Sequence, residues 1–302
     1  MTLLRLFVDN LLPLLLAASA GYAVAATLKP DIRAFSSVAF NVFAPCLIFQ
    51  VILESRVEMI TLVRMMGFTT VGLLLLGAVA VAIARWKGWS RSLSSAVVLC
   101  VMLPNAANFG MSASLLAFGR EGLMQASLYF ITFSILTYTV GVLVASLGHA
   151  SPKSALLGLV RVPTIWAVVI ALVLRACGWS PPGPAMQAID LLARACIPSF
   201  LVILGMQLYG VRLQGPALPL SVAGSLRLVG GFLAGWVLAP RFGLEGTAFQ
   251  VGVFQSSMPT AVITTILATE YDVEPRFVAS VVFLTTLVSP FTLTPALAIL
   301  KG

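Results

Sequence analysis

Ten stretches of this sequence stay apolar for about the length of a bilayer crossing: 6–28, 34–53, 65–84, 94–118, 124–147, 154–176, 185–208, 217–239, 247–269 and 277–299. Roughly 20 helical residues match the hydrocarbon layer of a membrane. Inside that layer no water is available to the backbone, so a spanning segment must satisfy its own N–H and C=O groups, and a helix does so. The pattern therefore predicts an all-α polytopic membrane protein with ten transmembrane helices. Of the 302 residues, 60% are hydrophobic and only 9% charged, against about 25% charged in soluble domains. That polar surface is too small to cover a water-soluble globule, which excludes a cytosolic enzyme, an extracellular module and a disordered regulator.

The net charge of +8 comes from 18 Lys and Arg scattered in ones and twos between the apolar runs. Such cations belong at membrane boundaries rather than in a nucleic-acid patch, so no nucleic-acid partner is expected. With the N-terminus outside, nine cations fall in inner loops, including the tight Arg85, Lys87 and Arg91 cluster and Lys153 and Arg161, and eight fall outside, including Arg56. The cluster favours both termini outside. Ala23-Val24-Ala25 resembles a signal-peptide cleavage site, but Asp9 and the repeat below argue for a retained first span. Cys46, Cys100, Cys177 and Cys196 fall in apolar runs without a CxxC spacing, so they read as core thiols, with neither disulfides nor metal sites expected.

Prolines inside the apolar runs reveal an internal repeat. Pro13, Pro45 and Pro104 recur as Pro163, Pro198 and Pro259, at offsets of 150, 153 and 155. The text around Pro45 (Ala44 to Phe49) resembles that around Pro198 (Ile197 to Val202). A unit of five spans is odd, so its second copy enters from the opposite side. The expectation is residues 1–150 as one five-helix repeat and 151–302 as its inverted copy, together forming a single membrane unit, a common plan for secondary transporters.

Two spans carry helix-breaking text at corresponding positions. Segment four contains Leu103-Pro104-Asn105-Ala106-Ala107-Asn108-Phe109-Gly110, and segment nine contains Gln255-Ser256-Ser257-Met258-Pro259-Thr260. Proline removes a helical hydrogen bond, and Asn prefers caps to helix interiors. Irregular backbone at membrane depth survives where protein or a water-filled cavity satisfies it. Paired interruptions of this kind point to a transporter's binding site.

The Pro-Asn-x-x-Asn-x-Gly run from Pro104 to Gly110, the Ile197-Pro198 stretch followed by Leu204-Gly205-Met206-Gln207-Leu208, and Ser257-Met258-Pro259-Thr260-Ala261 resemble the auxin efflux carrier family. That family includes bacterial permeases and the plant PIN-type carriers, and it is similar in fold to the bile-acid sodium symporters. The resemblance implies helices four and nine broken and crossing, and scaffold and transport subdomains that move against each other in an elevator-like way. It also implies a homodimer in the bacterial inner membrane. The transported solute would be a small organic anion. The symporters carry a sodium-binding glutamate in the broken ninth helix, whereas 250–268 here holds no acid. No cofactor is expected, and the coupling ion stays open between proton and sodium.

The substrate-binding residues expected from this reading are Asn105, Asn108, Gly110, Gln255, Ser257, Thr260, Asn41 and Arg227, with Pro104 and Pro259 making the breaks. Arg227 lies near mid-depth in segment eight without an acid in that segment, so an anionic solute or the membrane interface would have to balance it. Gln50, Gln207 and Gln250 are further intramembrane polar groups, and Asp190 reads as interfacial. Thr132, Thr137, Tyr138, Thr285, Thr286 and Ser289 could join the site or bond their own helices. Gly231 and Gly235 form a GxxxG packing motif. His149 is the sole histidine and no P-loop occurs, so neither an enzyme nor an ATP-driven pump is expected. A solute receptor and a channel are the competing classes.

Overall fold

Helices occupy part of each of the ten apolar stretches in the computed structural model, which describes residues 2–54, 58–146 and 162–302. His149, Lys153, Arg161 and Arg56 lie outside the described residues, as do positions 154–161 of the sixth stretch. The helices are α1 (Leu3–Asn10), α2 (Leu12–Leu28), α3 (Ile32–Glu54), α4 (Met59–Trp86), α5 (Arg91–Met102), α6 (106–118), α7 (120–145), α8 (Pro163–Ala176), α9 (Gly183–Leu208), α10 (Ala217–Phe242), α11 (Gly246–Ser256), α12 (Ile263–Glu270) and α13 (Pro275–Lys301). Among the described residues, six apolar helical runs are long enough to cross a membrane, and a seventh forms if α1 and α2, bent by 45°, count as one. The chain is thus a helical, polytopic membrane protein.

The boundaries have local causes. Asp31 caps α3 by accepting from the Arg33 and Ala34 N–H groups at 2.9 and 3.1 Å. The Ser90 hydroxyl accepts from the Leu93 N–H and caps α5. Between α6 and α7 the chain turns at Gly119, whose φ of 68° and ψ of −157° lie in a region essentially restricted to glycine. Segments four and five are thereby separate helices, within a residue or a few of the expected limits.

Polar contacts sort the helix ends onto two faces. On the first face, Ser95 near the start of α5 donates to the Val144 carbonyl at the end of α7. The Ser280 hydroxyl near the start of α13 accepts from the Gln214 N–H at 2.7 Å. On the second face, Lys301 donates to Asn10 at 3.2 Å, Gln250 to the Leu300 carbonyl at 2.7 Å and Arg64 to the Gly243 carbonyl at 3.2 Å. There too, Gln50 donates at 3.0 Å to Asp190, which is paired with Arg194 at 2.7 Å. Asp190 is thus held by partners on two helices, Gln50 of α3 and Arg194 of its own.

Packing divides the helices into two groups. In one, α2 lies along α9, α8 lies along α3, and α3 also contacts α9. The α2–α9 contact is backbone to backbone: a Cβ at Gly21 would collide with the Val202 carbonyl, and one at Gly205 with the Ala18 carbonyl. The other group gathers α4 to α7 and α10 to α13 around the two breaks. Gly231 and Gly235 let α10 pack closely on the Val253–Ser256 turn of α11, most tightly at Gly231 against the Ser256 carbonyl, as the GxxxG spacing suggested. Four free thiols are present; Cys100 and Cys196 are buried, but Cys177 is exposed at the end of α8, so it is not a core thiol.

Candidate functional site

The breaks in the fourth and ninth stretches meet as a two-residue antiparallel bridge between Pro104 and Thr260. The Asn105 N–H donates to the Pro259 carbonyl at 2.6 Å, and the Ala261 N–H donates to the Leu103 carbonyl at 2.8 Å. Pro104 occupies the middle position, where the ladder asks for no N–H, so its missing donor leaves nothing unsatisfied. Extended backbone at this depth is satisfied by its counterpart in the other half of the chain. Thr260 fastens the bridge on both sides: its hydroxyl donates to the Cys100 carbonyl at 2.9 Å, and its N–H donates to the Thr285 hydroxyl at 3.1 Å.

A cavity of about 900 Å³ ends at this crossing. Its walls come from α3, α8 and α9 of one helix group and from α6, α7, α12 and α13 of the other. Arg33, Pro163, Leu208 and Glu270, all at helix ends on the first face, mark its rim, while Asn105 to Asn108 and Ala261 to Ile263 mark its floor. The first turns of α6 and α12 therefore border the cavity with the N–H-rich, partly positive ends of their helices. Phe40, Phe130, Phe133, Tyr138 and Phe283 supply aromatic walls.

Four buried polar atoms on lining residues have no hydrogen-bond partner among the described residues: Ser36 Oγ, Asn105 Nδ2, Asn108 Oδ1 and Gln207 Oε1. Unpaired buried polar groups are costly, and a cavity that a polar solute can enter is where such groups find partners. Asn105 does two things at once: its Oδ1 accepts from the Phe109 N–H at 3.4 Å as a helix cap, and its Nδ2 is left for the cavity.

Of the residues expected at the site, the structure brings Asn41, Asn105 and Asn108 to the cavity. Asn41 also donates to the Ser37 carbonyl at 2.8 Å, so it serves its own helix as well. Gly110, Gln255, Ser257 and Thr260 do not line the cavity and instead build the crossing behind it. The Gln255 amide packs where a Cβ on Gly110 would sit, and its Nε2 reaches the Ser114 hydroxyl at 3.4 Å. Ser257 donates to the Val253 carbonyl of its own helix. Arg227 requires a correction: it is 0% exposed and absent from the cavity wall. Its guanidinium donates to the Val101 and Ser256 carbonyls, which fixes it away from any solute in the cavity.

Thr137 and Tyr138 line the cavity, whereas Thr285, Thr286 and Ser289 donate within their own helix. Sequence reasoning missed Arg33, Ser36, Ser37 and Glu270. A signal for the first three was available: Arg33, Ser36, Ser37, Phe40 and Asn41 recur at three- and four-residue steps and so share one face of α3.

A helical membrane protein with a solute-sized cavity ending at two crossed helix breaks is, by class, a membrane transport protein. The family model of that description, Membrane transport protein, matches residues 145–296, and the chain belongs to that family, the auxin efflux carriers. An uncharacterized transporter of Methanothermobacter thermautotrophicus is 24% identical over 262 residues, covering 86% of each chain. An uncharacterized transporter of Methanocaldococcus jannaschii is 26% identical over 198 residues, covering 63% of each.

Proposed function

We propose that this transporter is a secondary carrier for a small organic anion, a carboxylate with an apolar body. The observation that carries the reading is the floor of the cavity, where the Asn105 amide and the first turns of α6 and α12 converge. A carboxylate there would accept from Asn105 Nδ2 and from the partly positive helix ends, which favour anions. Either Asn108 or Gln207 can turn its amide to present a donor. Arg33 at the rim adds a cation on the path inward, and the aromatic walls suit the apolar remainder of the solute.

In this reading the chain crosses the inner membrane ten times as two inverted five-helix repeats, 1–150 and 151–302, with both termini outside. The first face is then cytoplasmic, and the cavity belongs to an inward-open state. The group containing α2, α3, α8 and α9 acts as scaffold, in a homodimer. The group carrying the breaks moves past it as an elevator, because the cavity floor belongs to one group and the rim at Arg33 to the other. Counterflow in proteoliposomes tests the proposal with a panel of radiolabelled mono- and dicarboxylates. Trans-stimulated, saturable exchange is expected. Conductance without exchange would make the protein a channel, and binding without flux would make it a receptor.

A further inference from the structure

Arg227 holds a fully buried charge, and neither of the two ion pairs among the described residues includes it. It sits where α10 takes a single wide turn over Leu226–Gly230, an irregularity often found at functional positions. One guanidinium nitrogen, Nη1, donates to the Val101 carbonyl at 2.5 Å, in the last turn of α5. The other, Nη2, donates to the carbonyl of Ser256, the last residue of α11. Both carbonyls lie in the final turns of half-helices, where the last four C=O groups have no partner within the helix and the dipole is negative. Space for the fork is prepared one turn on: a Cβ at Gly231 would strike both the Arg227 guanidinium and the Ser256 carbonyl. Neither α5 nor α11 contains an Asp or Glu that could pair with the charge.

We infer that Arg227 is the crossing's own cation, a positioning residue that bridges the negative ends of α5 and α11. The paired breaks then stay in register, with Asn105 and Asn108 held at the cavity floor, and the position where a diffusible cation would meet both helix ends is filled by a tethered planar one. The converging positive helix ends on the other side of the crossing remain free for solute. Two carbonyls 155 positions apart in sequence are joined by one rigid fork, a task suited to Arg and beyond Lys, whose ammonium is a point donor on a flexible stem.

The test needs no substrate, so it stands or falls separately from the proposed transport activity. Thermal unfolding in detergent is followed for wild type, Arg227→Ala and Arg227→Lys, each in about 10 mM sodium, choline or guanidinium chloride, concentrations at which a bound cation stabilises only by occupying a site. Wild type should unfold at the same Tm in guanidinium as in choline. Arg227→Ala should unfold about 5 °C lower or more and regain part of that loss in guanidinium alone. An unchanged Tm in Arg227→Ala, a loss that guanidinium does not relieve, or equal relief by sodium would each overturn the inference. Should Arg227→Ala yield no folded protein, Arg227→Lys decides. A Tm below wild type supports the two-carbonyl fork, and a wild-type Tm overturns it.

Discussion

Asn105 and Asn108 carry the most chemistry per residue at the cavity floor, and they are 3% exposed each. Replacing either by Ala removes a polar atom left unpaired at the cavity, and at Asn105 also the cap on the Phe109 N–H, but leaves the bridge between Leu103–Asn105 and Pro259–Ala261 intact, because that bridge is made by backbone. Asn105→Ala and Asn108→Ala should each lower carboxylate exchange about tenfold or more, the loss of one hydrogen bond to a charged group. Purification yield should stay near wild type, and Tm should fall only for Asn105→Ala, by the small amount a lost helix cap costs, about 1 kcal/mol. Wild-type exchange kinetics in both would remove the Asn pair from the site. Behind the floor, Gly110 and Gln255 are complementary in shape. Gly110→Ala should cost about 1–3 kcal/mol by overpacking, and in the Gly110→Ala/Gln255→Ala double variant part of that cost should disappear, since neighbours couple. Additive losses in Tm would show that the contact is not the cause.

The prolines and glycines do their work at the scale of the helix. Pro104 interrupts the fourth stretch at a position where the antiparallel pairing needs no donor, so the break costs no hydrogen bond. Gly119 ends α6 in a backbone conformation that a Cβ disfavours. No atom stands near the space a Cβ would occupy there, so Gly119→Ala tests backbone strain alone. The expected loss is about 1–3 kcal/mol, read as a lowered Tm without a change in exchange once folded. These elements were legible as apolar runs punctuated by Pro, Gly and Asn. The stripe on α3 is harder to read, because its polar residues lie at helical spacing within an otherwise apolar run that no proline or glycine interrupts before Pro45. Glu270 was unreadable for a different reason: as the last residue of α12 it looks like any loop-flanking acid until the fold brings it to the rim.

Across the whole molecule, the cavity reaches the first face, while the second face is closed by contacts such as that of Lys301, which donates to Asn10 and lies 5.5 Å from the Phe118 ring. Ser37→Cys, introduced after replacing Cys46 and Cys177 with serine, should report this asymmetry. In sealed vesicles a membrane-impermeant maleimide should label it from the first face and not from the second in the state described here. Cys100 and Cys196 are buried and should stay unlabelled. Equal labelling from both faces would show that the second face is not closed.

The chain's own composition and periodicity determined that it is helical, membrane-embedded and interrupted at 104 and 259, because burial in hydrocarbon and the missing proline N–H are local constraints that any arrangement must obey. Whether a given polar residue meets solute was decided only by tertiary structure. Asn105 and Arg227 are both polar groups in apolar runs, yet one faces the cavity while the other is tied to carbonyls of two distant helices. The difference lies in which unsatisfied backbone groups the fold delivers to each side chain: the last carbonyls of α5 and α11 come to Arg227, whereas among the described residues no group comes to Asn105 Nδ2 at the cavity floor.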